Sequence, residues 1–284
     1  MVFEAGEPVA TVGDDDLRGL VHPTEALLHL DLGRTAPCAG LAWSVDRYWH
    51  VRWSLSAPFE QRIVSHPAVH VTFEPDGAFV NGVVTGEWSR RLEGDGQVLG
   101  VKFRPAGFRP FLGRSVASIT DQVLPLADVF GAVGAELATR AAPIIQGGTV
   151  DELVPLVEAW LGSLAVDGRE RSEAVSGIVE ESMADPRLGR VADLAARLGL
   201  TTRRLQRLFA DHVGAPPKWV LDRARIHEVG ERVRRDPELR WAELAAELGF
   251  ADQAHLTRRF TETVGTSPAR YAARVTSGRY PGSP

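Results

Sequence analysis

Two clusters near the end of the chain hold the side chains best suited to recognition chemistry. Arg203, Gln206 and Arg207 fall at i, i+3 and i+4, so on a helix they share one face. Gln253, His255, Thr257 and Arg258 form the second cluster. A guanidinium can donate two parallel hydrogen bonds to the major-groove edge of guanine, and glutamine can pair with adenine in the same way. Threonine adds a hydroxyl and a methyl that can meet thymine. Such side chains read bases only from a short, rigid, exposed helix. On an ordinary helical bundle they would be a solvated face and nothing more.

The elements that would position them occur twice. Leu194–Leu200 reads LAARLGL and Leu244–Phe250 reads LAAELGF. One residue further out of step, Leu205, Arg207, Phe209, Val213, Gly214 and Pro217 face Leu256, Arg258, Phe260, Val264, Gly265 and Pro268. In the first copy Val191, Leu194, Ala195 and Leu198 keep helical spacing. Gly199 stops that helix, because glycine takes a left-handed conformation at little cost. Thr201 or Thr202 then caps a second helix that buries Leu205, Leu208 and Phe209. In the second copy Trp241, Leu244, Ala245 and Leu248 form the first helix, Gly249 stops it, and Asp252 caps the next. Leu256, Phe260 and Val264 pack inward, leaving Gln253, His255, Thr257 and Arg258 for the exposed side. The two units span about 191–212 and 241–263. Pro216-Pro217 opens a helix that runs to about Arg235, where Asp236-Pro237 ends it. A rod of that kind fixes the separation of the units, and helices about 34 Å apart meet successive major grooves.

These residues resemble the AraC/XylS family of transcription regulators over about Val191 to Val275. The run GFADQAHLTRRFTETVGTSPARYAARV carries most of the likeness, and LAARLGLTTRRLQRLFADHVG carries the rest. The resemblance implies base contacts from Arg203, Gln206, Arg207, Gln253, His255, Thr257 and Arg258. It implies phosphate contacts near Thr201, Thr202, Arg204, Arg259 and Ser267. It also implies a sensing or dimerising domain ahead of the DNA-binding part, and double-stranded DNA as partner. A small-molecule effector, RNA polymerase and a monomeric or homodimeric state are the further expectations that follow.

The rest of the chain sets bounds. The net charge is −5, but from Ser172 onward the balance is +3, and the preceding residues hold −8. Positive charge therefore gathers where the tandem units lie. Cys38 is the one cysteine, which fits a reducing cytoplasm and leaves no disulfide or all-cysteine metal site. No apolar run is long enough for a membrane span. The expected fold class is α+β in two domains. Residues 1–166 form an antiparallel β-barrel or sandwich, cupin-like, with a helical tail, and residues 172–276 form an all-α tandem helix-turn-helix.

Strands are expected at Arg47–Trp53, Arg62–His66, Val69–Glu74, Ala78–Val84 and Val98–Arg104, separated by Pro58, Pro67, Pro75-Asp76-Gly77, Asn81-Gly82 and Gly94-Asp95-Gly96. Residues 119–165 read as helical, and Ser172–Met183 as a helix leading into the tandem units. Trp43, Trp49, Trp53 and Trp88 are dense enough to line an aromatic ligand pocket. His66, His70 and Glu74 lack metal-ligand spacing, with His70 expected to point outward, so no metal and no cofactor is assigned. Arg104, Arg109 and Arg114 read as a solvated face, with anion binding as the alternative. A DNA-repair or other enzyme anchored by the same C-terminal units is the alternative. It needs a catalytic cluster in the first half, and Cys38 without a His or acid partner supplies none, so the chain is read as non-enzymatic.

Overall fold

The computed structural model describes residue 21, residues 23–185 and residues 187–277. The first half holds a short helix α1 (Pro23–His29) and the strands β1 (Leu30–Thr35), β2 (Val45–Ile63), β3 (His70–Glu74), β4 (Gly77–Asn81) and β5 (Trp88–Phe103). Helix α2 (Arg109–Leu112), a single 3-10 turn at Val116–Ile119 and strand β6 (Val123–Pro125) follow. The strands form one antiparallel sheet in the order β1-β2-β5-β3-β4-β6.

Two strands are much longer than the sequence suggests. β2 runs through Pro58 and takes in Arg62 and Ile63 of the separate strand expected at Arg62–His66, whose last three residues lie outside any strand, while β5 runs through Gly94-Asp95-Gly96. The register slips between Leu55 and Phe59, and there Gly94 takes a φ of 56°. A bulge tolerates proline, which has no ladder N–H, and a positive φ suits glycine. The expected turn residues therefore bend a continuous ladder instead of breaking it, and the sheet curls on itself.

One face of the sheet, with Tyr48, Val71, Phe73, Leu99 and Val101, packs on α3 (Leu126–Gly147) and α4 (Val150–Ser163). Gln97 fixes the end of α3 by donating from Nε2 to the carbonyls of Ile145 at 2.9 Å and Gly148 at 3.1 Å.

The second half is helical: α5 (Arg169–Ala184), α6 (Val191–Arg197), α7 (Thr202–His212), α8 (Pro217–Arg235), α9 (Trp241–Glu247), α10 (Gln253–Val264) and α11 (Pro268–Ser277). The core of the sheet domain does not end at the linker. It continues through Val175 and Val179 of α5, Leu194 of α6, and Leu205 and Phe209 of α7, as far as Leu221 in α8. A second core starts at Ile226 of the same helix and takes in Leu244, Leu256, Phe260 and Tyr271, together with Val21 and Val64 from the first half. Phe209 and Phe260, at matching places in the repeat, are fully buried and contribute about 1.5–3 kcal/mol each. No helix among the described residues is long and apolar enough to cross a membrane.

Candidate functional site

The two repeats fold alike. Gly199 and Gly249 end α6 and α9 with φ of 63° and 69°. Thr201, not Thr202, caps α7, its side chain accepting from the N–H of Arg204 at 3.2 Å. Asp252 caps α10, accepting from the N–H of His255 at 2.7 Å. The capped ends leave helix N-termini facing outward, where backbone N–H groups and the helix dipole favour phosphate.

On α7 the side chains of Arg203, Arg204, Gln206 and Arg207 are all exposed, as are Thr201 and Thr202. On α10 Gln253 and Arg258 are exposed, but Thr257 and His255 are half-buried. His255 departs furthest from a free recognition residue. Its Nδ1 accepts from the N–H of Ala251 at 3.2 Å, and its ring meets Phe250 edge-on with centroids 5.5 Å apart. Arg259 also differs from expectation, since its guanidinium reaches Asp222 at 3.2 Å and Glu262 at 2.7 Å. The Ser267 hydroxyl accepts from the N–H of Arg270 at 3.4 Å at the start of α11. Between the two units α8 spans 19 residues, a rod on the order of 28 Å at about 1.5 Å per residue.

A separate cavity of about 430 Å³ opens on the inner face of the curled sheet, opposite α3. Its wall is mostly apolar and aromatic: Trp49, Trp53, Trp88, Phe79, Leu92 and Val98, with Gln61, His70 and Thr72 among its polar groups. Two glycines make room for the indoles. Trp49 and Trp53 lie opposite Gly100 and Gly96 in the β2–β5 register. A Cβ at Gly100 would sit 2.0 Å from the Trp49 ring, and one at Gly96 would sit 2.4 Å from the Trp53 ring. Each indole therefore lies flat across its partner strand.

Trp43 is not in this cavity. It precedes β2 on the helical side, stacked on Phe111 at 5.6 Å with the Arg169 guanidinium 5.0 Å from its ring. His70 also departs from the sequence reading. It lies on the cavity face and its Nδ1 accepts from the Trp49 Nε1–H at 3.1 Å. Burial, and next the charge of Lys102, push its pKa down to about 3, so the ring is neutral. His66, His70 and Glu74 all border the cavity, and among the described residues no group of three His, Cys, Asp or Glu side chains is arranged to hold a metal.

Residues 194–274 match the family model described as a helix-turn-helix domain. The C-terminal part of this chain is an AraC-type helix-turn-helix domain. Residues 33–125 match a second family, described as a domain of unknown function (DUF6597). The transcriptional activator NphR of a Rhodococcus species is 26% identical over 218 residues, covering 76% of this chain and 57% of that protein. The chain thus spans little more than half the length of this curated relative. The C-terminal domain of the two-component response regulator YesN from Fusobacterium nucleatum is 24% identical, covering 36% of this chain and 98% of that one, with a TM-score of 0.32. An apo ToxT variant from Vibrio cholerae is 13% identical, covering 80% and 97%, with a TM-score of 0.42.

The AraC-type domain is docked on the sheet domain at three places. At α7, Asp211 meets Arg109 at 3.1 Å, and the carbonyls of Ala210 and Gly214 accept from Ser115 at 3.1 Å and Thr120 at 2.6 Å. These contacts hold the C-terminal end of α7 and leave its capped end clear. At α5, Arg104 forks onto Glu180 at 2.8 and 2.5 Å, and Ser172 donates to the Ala106 carbonyl at 2.6 Å. Arg104 and Arg109 are therefore struts between the halves, not a solvated face. At α8, the Thr85 carbonyl accepts from Trp219 at 2.9 Å and Arg223 at 3.3 Å, and the Ser65 carbonyl lies 3.3 Å from His227 Nε2. Sequence reasoning missed this last group. Its partners are more than 130 residues apart, and no local pattern marks a carbonyl as a docking point.

Proposed function

We propose that the protein is a sequence-specific DNA-binding transcription regulator whose AraC-type domain reads two successive major grooves through α7 and α10. The observation that carries this reading is the matched pair of capped helices, each behind a left-handed glycine and each presenting exposed arginine and glutamine. Arg203, Gln206 and Arg207 on α7, with Gln253, Thr257 and Arg258 on α10, take the base edges. His255 supports the turn before α10 as well as bordering the groove side. Thr201, Thr202, Arg204 and Ser267 lie at or near helix starts and, with Arg259 midway along α10, take backbone phosphates.

In this reading the DNA-binding part lies within 172–276 and a sensing part within 1–166. The cavity takes a small, largely apolar effector, its volume falling within the usual range for ligand sites. The chain works in the cytoplasm as a monomer or homodimer, regulates instead of catalysing, and meets RNA polymerase at the promoter. Selection from a randomised duplex library with the full chain tests the core of the proposal. The expected result is a motif with two parts about one helical turn apart, 10–10.5 base pairs. A pool that stays random through successive rounds would overturn it.

A further inference from the structure

A second opening, of about 270 Å³, lies where the two helix-turn-helix units meet the connecting helix. Lys218, Arg225, His255 and Arg259 border it, with Asp222 as its one carboxylate and Phe250 as an apolar wall. Asp222 gathers the cations: Lys218 Nζ at 2.7 Å, Arg259 at 3.2 Å and Arg225 at 3.9 Å. Three fixed positive charges thus surround a single negative one. Glu262, half-exposed on the far side of Arg259, offsets only part of the surplus.

Arg225 is the unusual member. Its side chain is 4% exposed and its Nε–H has no hydrogen-bond partner. One Nη reaches the Gly249 carbonyl at 3.4 Å, in the turn of the second unit. On the other side it abuts Gly189, just before the first unit, where a Cβ would lie 2.6 Å from Nη2. Lys218 Nζ reaches the Gly189 carbonyl at 3.5 Å. The cluster therefore sits at the seam between the two units. His255 adds a donor without needing a charge, because an Nδ1 that accepts from Ala251 leaves the proton of a neutral ring on Nε2.

The geometry points to a binding site for a phosphate-type oxyanion, formed by Lys218, Arg225, His255 and Arg259 and filled by a backbone phosphate of the DNA that runs between the two grooves. This rests on the DNA-reading function proposed above for the choice of source, but not for the anion chemistry. A buried, under-partnered guanidinium among surplus cations is a costly arrangement that an oxyanion relieves. In keeping with that, burial lowers the pKa of Arg225, and the charge of Arg259 works in the same direction against the opposing pull of Asp222.

The test uses the full chain with Lys218→Gln and Arg225→Gln variants. Lys218 is exposed, so its variant keeps the fold even where loss of Arg225 disturbs it. One arm measures affinity for a mixed-sequence duplex from 50 to 200 mM salt. Each lost phosphate contact lowers the log–log slope by about 0.9, a factor of about 3.5 across that range. The other arm measures thermal stability in inorganic phosphate against chloride at equal ionic strength.

A reduced slope in the variants assigns the site to DNA phosphate. A phosphate-specific stabilisation of the parent chain that the variants lose, with no change in slope, assigns it to a free oxyanion. If the chain binds no duplex at all but phosphate stabilises it through these residues, the DNA reading fails and the site stands. Unchanged slope together with no phosphate effect would overturn the site.

Discussion

The imidazole rings of His66 and His227 stack at 4.1 Å with only 12° between their planes. One belongs to the cavity wall and the other to the connecting helix α8. Neighbouring contacts run the same way. Ser65 and Val84 border the cavity, Ser65 Oγ donates to the Val84 carbonyl at 2.7 Å, and the next carbonyl, Thr85, holds Trp219 and Arg223. The wall of the cavity and the footing of α8 thus share two adjoining segments of backbone, 65–66 and 84–85.

A ligand in the cavity is therefore expected to act on DNA binding through this joint. Replacing His227 by Ala should leave the affinity of a cavity ligand within about twofold. It should shrink the ligand's effect on DNA affinity, which for an ordinary coupling of about 1–3 kcal/mol is roughly 5- to 150-fold. Titrating DNA with and without ligand in both proteins checks this. An equal ligand effect in the two proteins removes the joint from the coupling.

Base reading by the exposed arginines predicts position-specific losses. Arg207→Ala and Arg258→Ala should each cost about 1–3 kcal/mol on the selected site, and each should relax preference at a single base pair. Competition with single-substitution duplexes reads this out. A uniform loss on every duplex would mean that the two side chains touch only phosphate.

The tryptophan–glycine pairs predict what fills the cavity wall. Gly100→Ala places a methyl inside the Trp49 ring, so the indole must leave its seat and its bond to His70 breaks. The expected cost is about 1–3 kcal/mol, with a change in tryptophan fluorescence and weakened binding of any cavity ligand. Fluorescence and urea midpoint unchanged from the parent protein would refute the packing described for Trp49.

His70 predicts a pH dependence. Its folded-state pKa, about 3, lies below the unfolded value of about 6.5. Between those values the unfolded chain binds a proton that the native chain refuses. His70 therefore contributes no penalty above about pH 6.5 and lowers stability progressively as the pH falls from there toward 3. Urea unfolding of His70→Gln should show a shallower loss between pH 7 and 5 than the parent protein. Parallel curves would mean that His70 does not drive the acid sensitivity.

The C-terminal units were legible because everything that builds them is local. A glycine stop, a capping side chain three residues before the N–H it accepts from, and a phenylalanine five residues after that N–H all fall within some twenty residues, and the repeat supplies an internal check. The sheet was legible at β3, β4 and parts of β2 and β5, but not in β1, β6 or its curl. The alternation of Val71 and Phe73 correctly sends His70 and Thr72 to the opposite face. Equating that face with solvent was the error, because the far halves of β2 and β5 fold over it. Trp43 misled for a related reason. Its type fits a pocket, and only the tertiary position of Phe111 shows which side of the sheet it serves. The charge surplus at Asp222 was invisible because Arg259 lies 37 residues from Asp222 in sequence, and no local pattern brings it together with Lys218 and Arg225.

The change of core partway along α8 has a consequence for any attempt to divide the chain. A cut ahead of α5 would not release a self-contained reader of DNA. It would strip the first reader of the floor it shares with the strands and bare Val175, Val179 and Leu205, while the second would lose only the patch around Val21 and Val64. One reader is anchored to the masonry of the whole molecule, and the other is held along most of a single rod, from Asp222 and Arg225 to Val233.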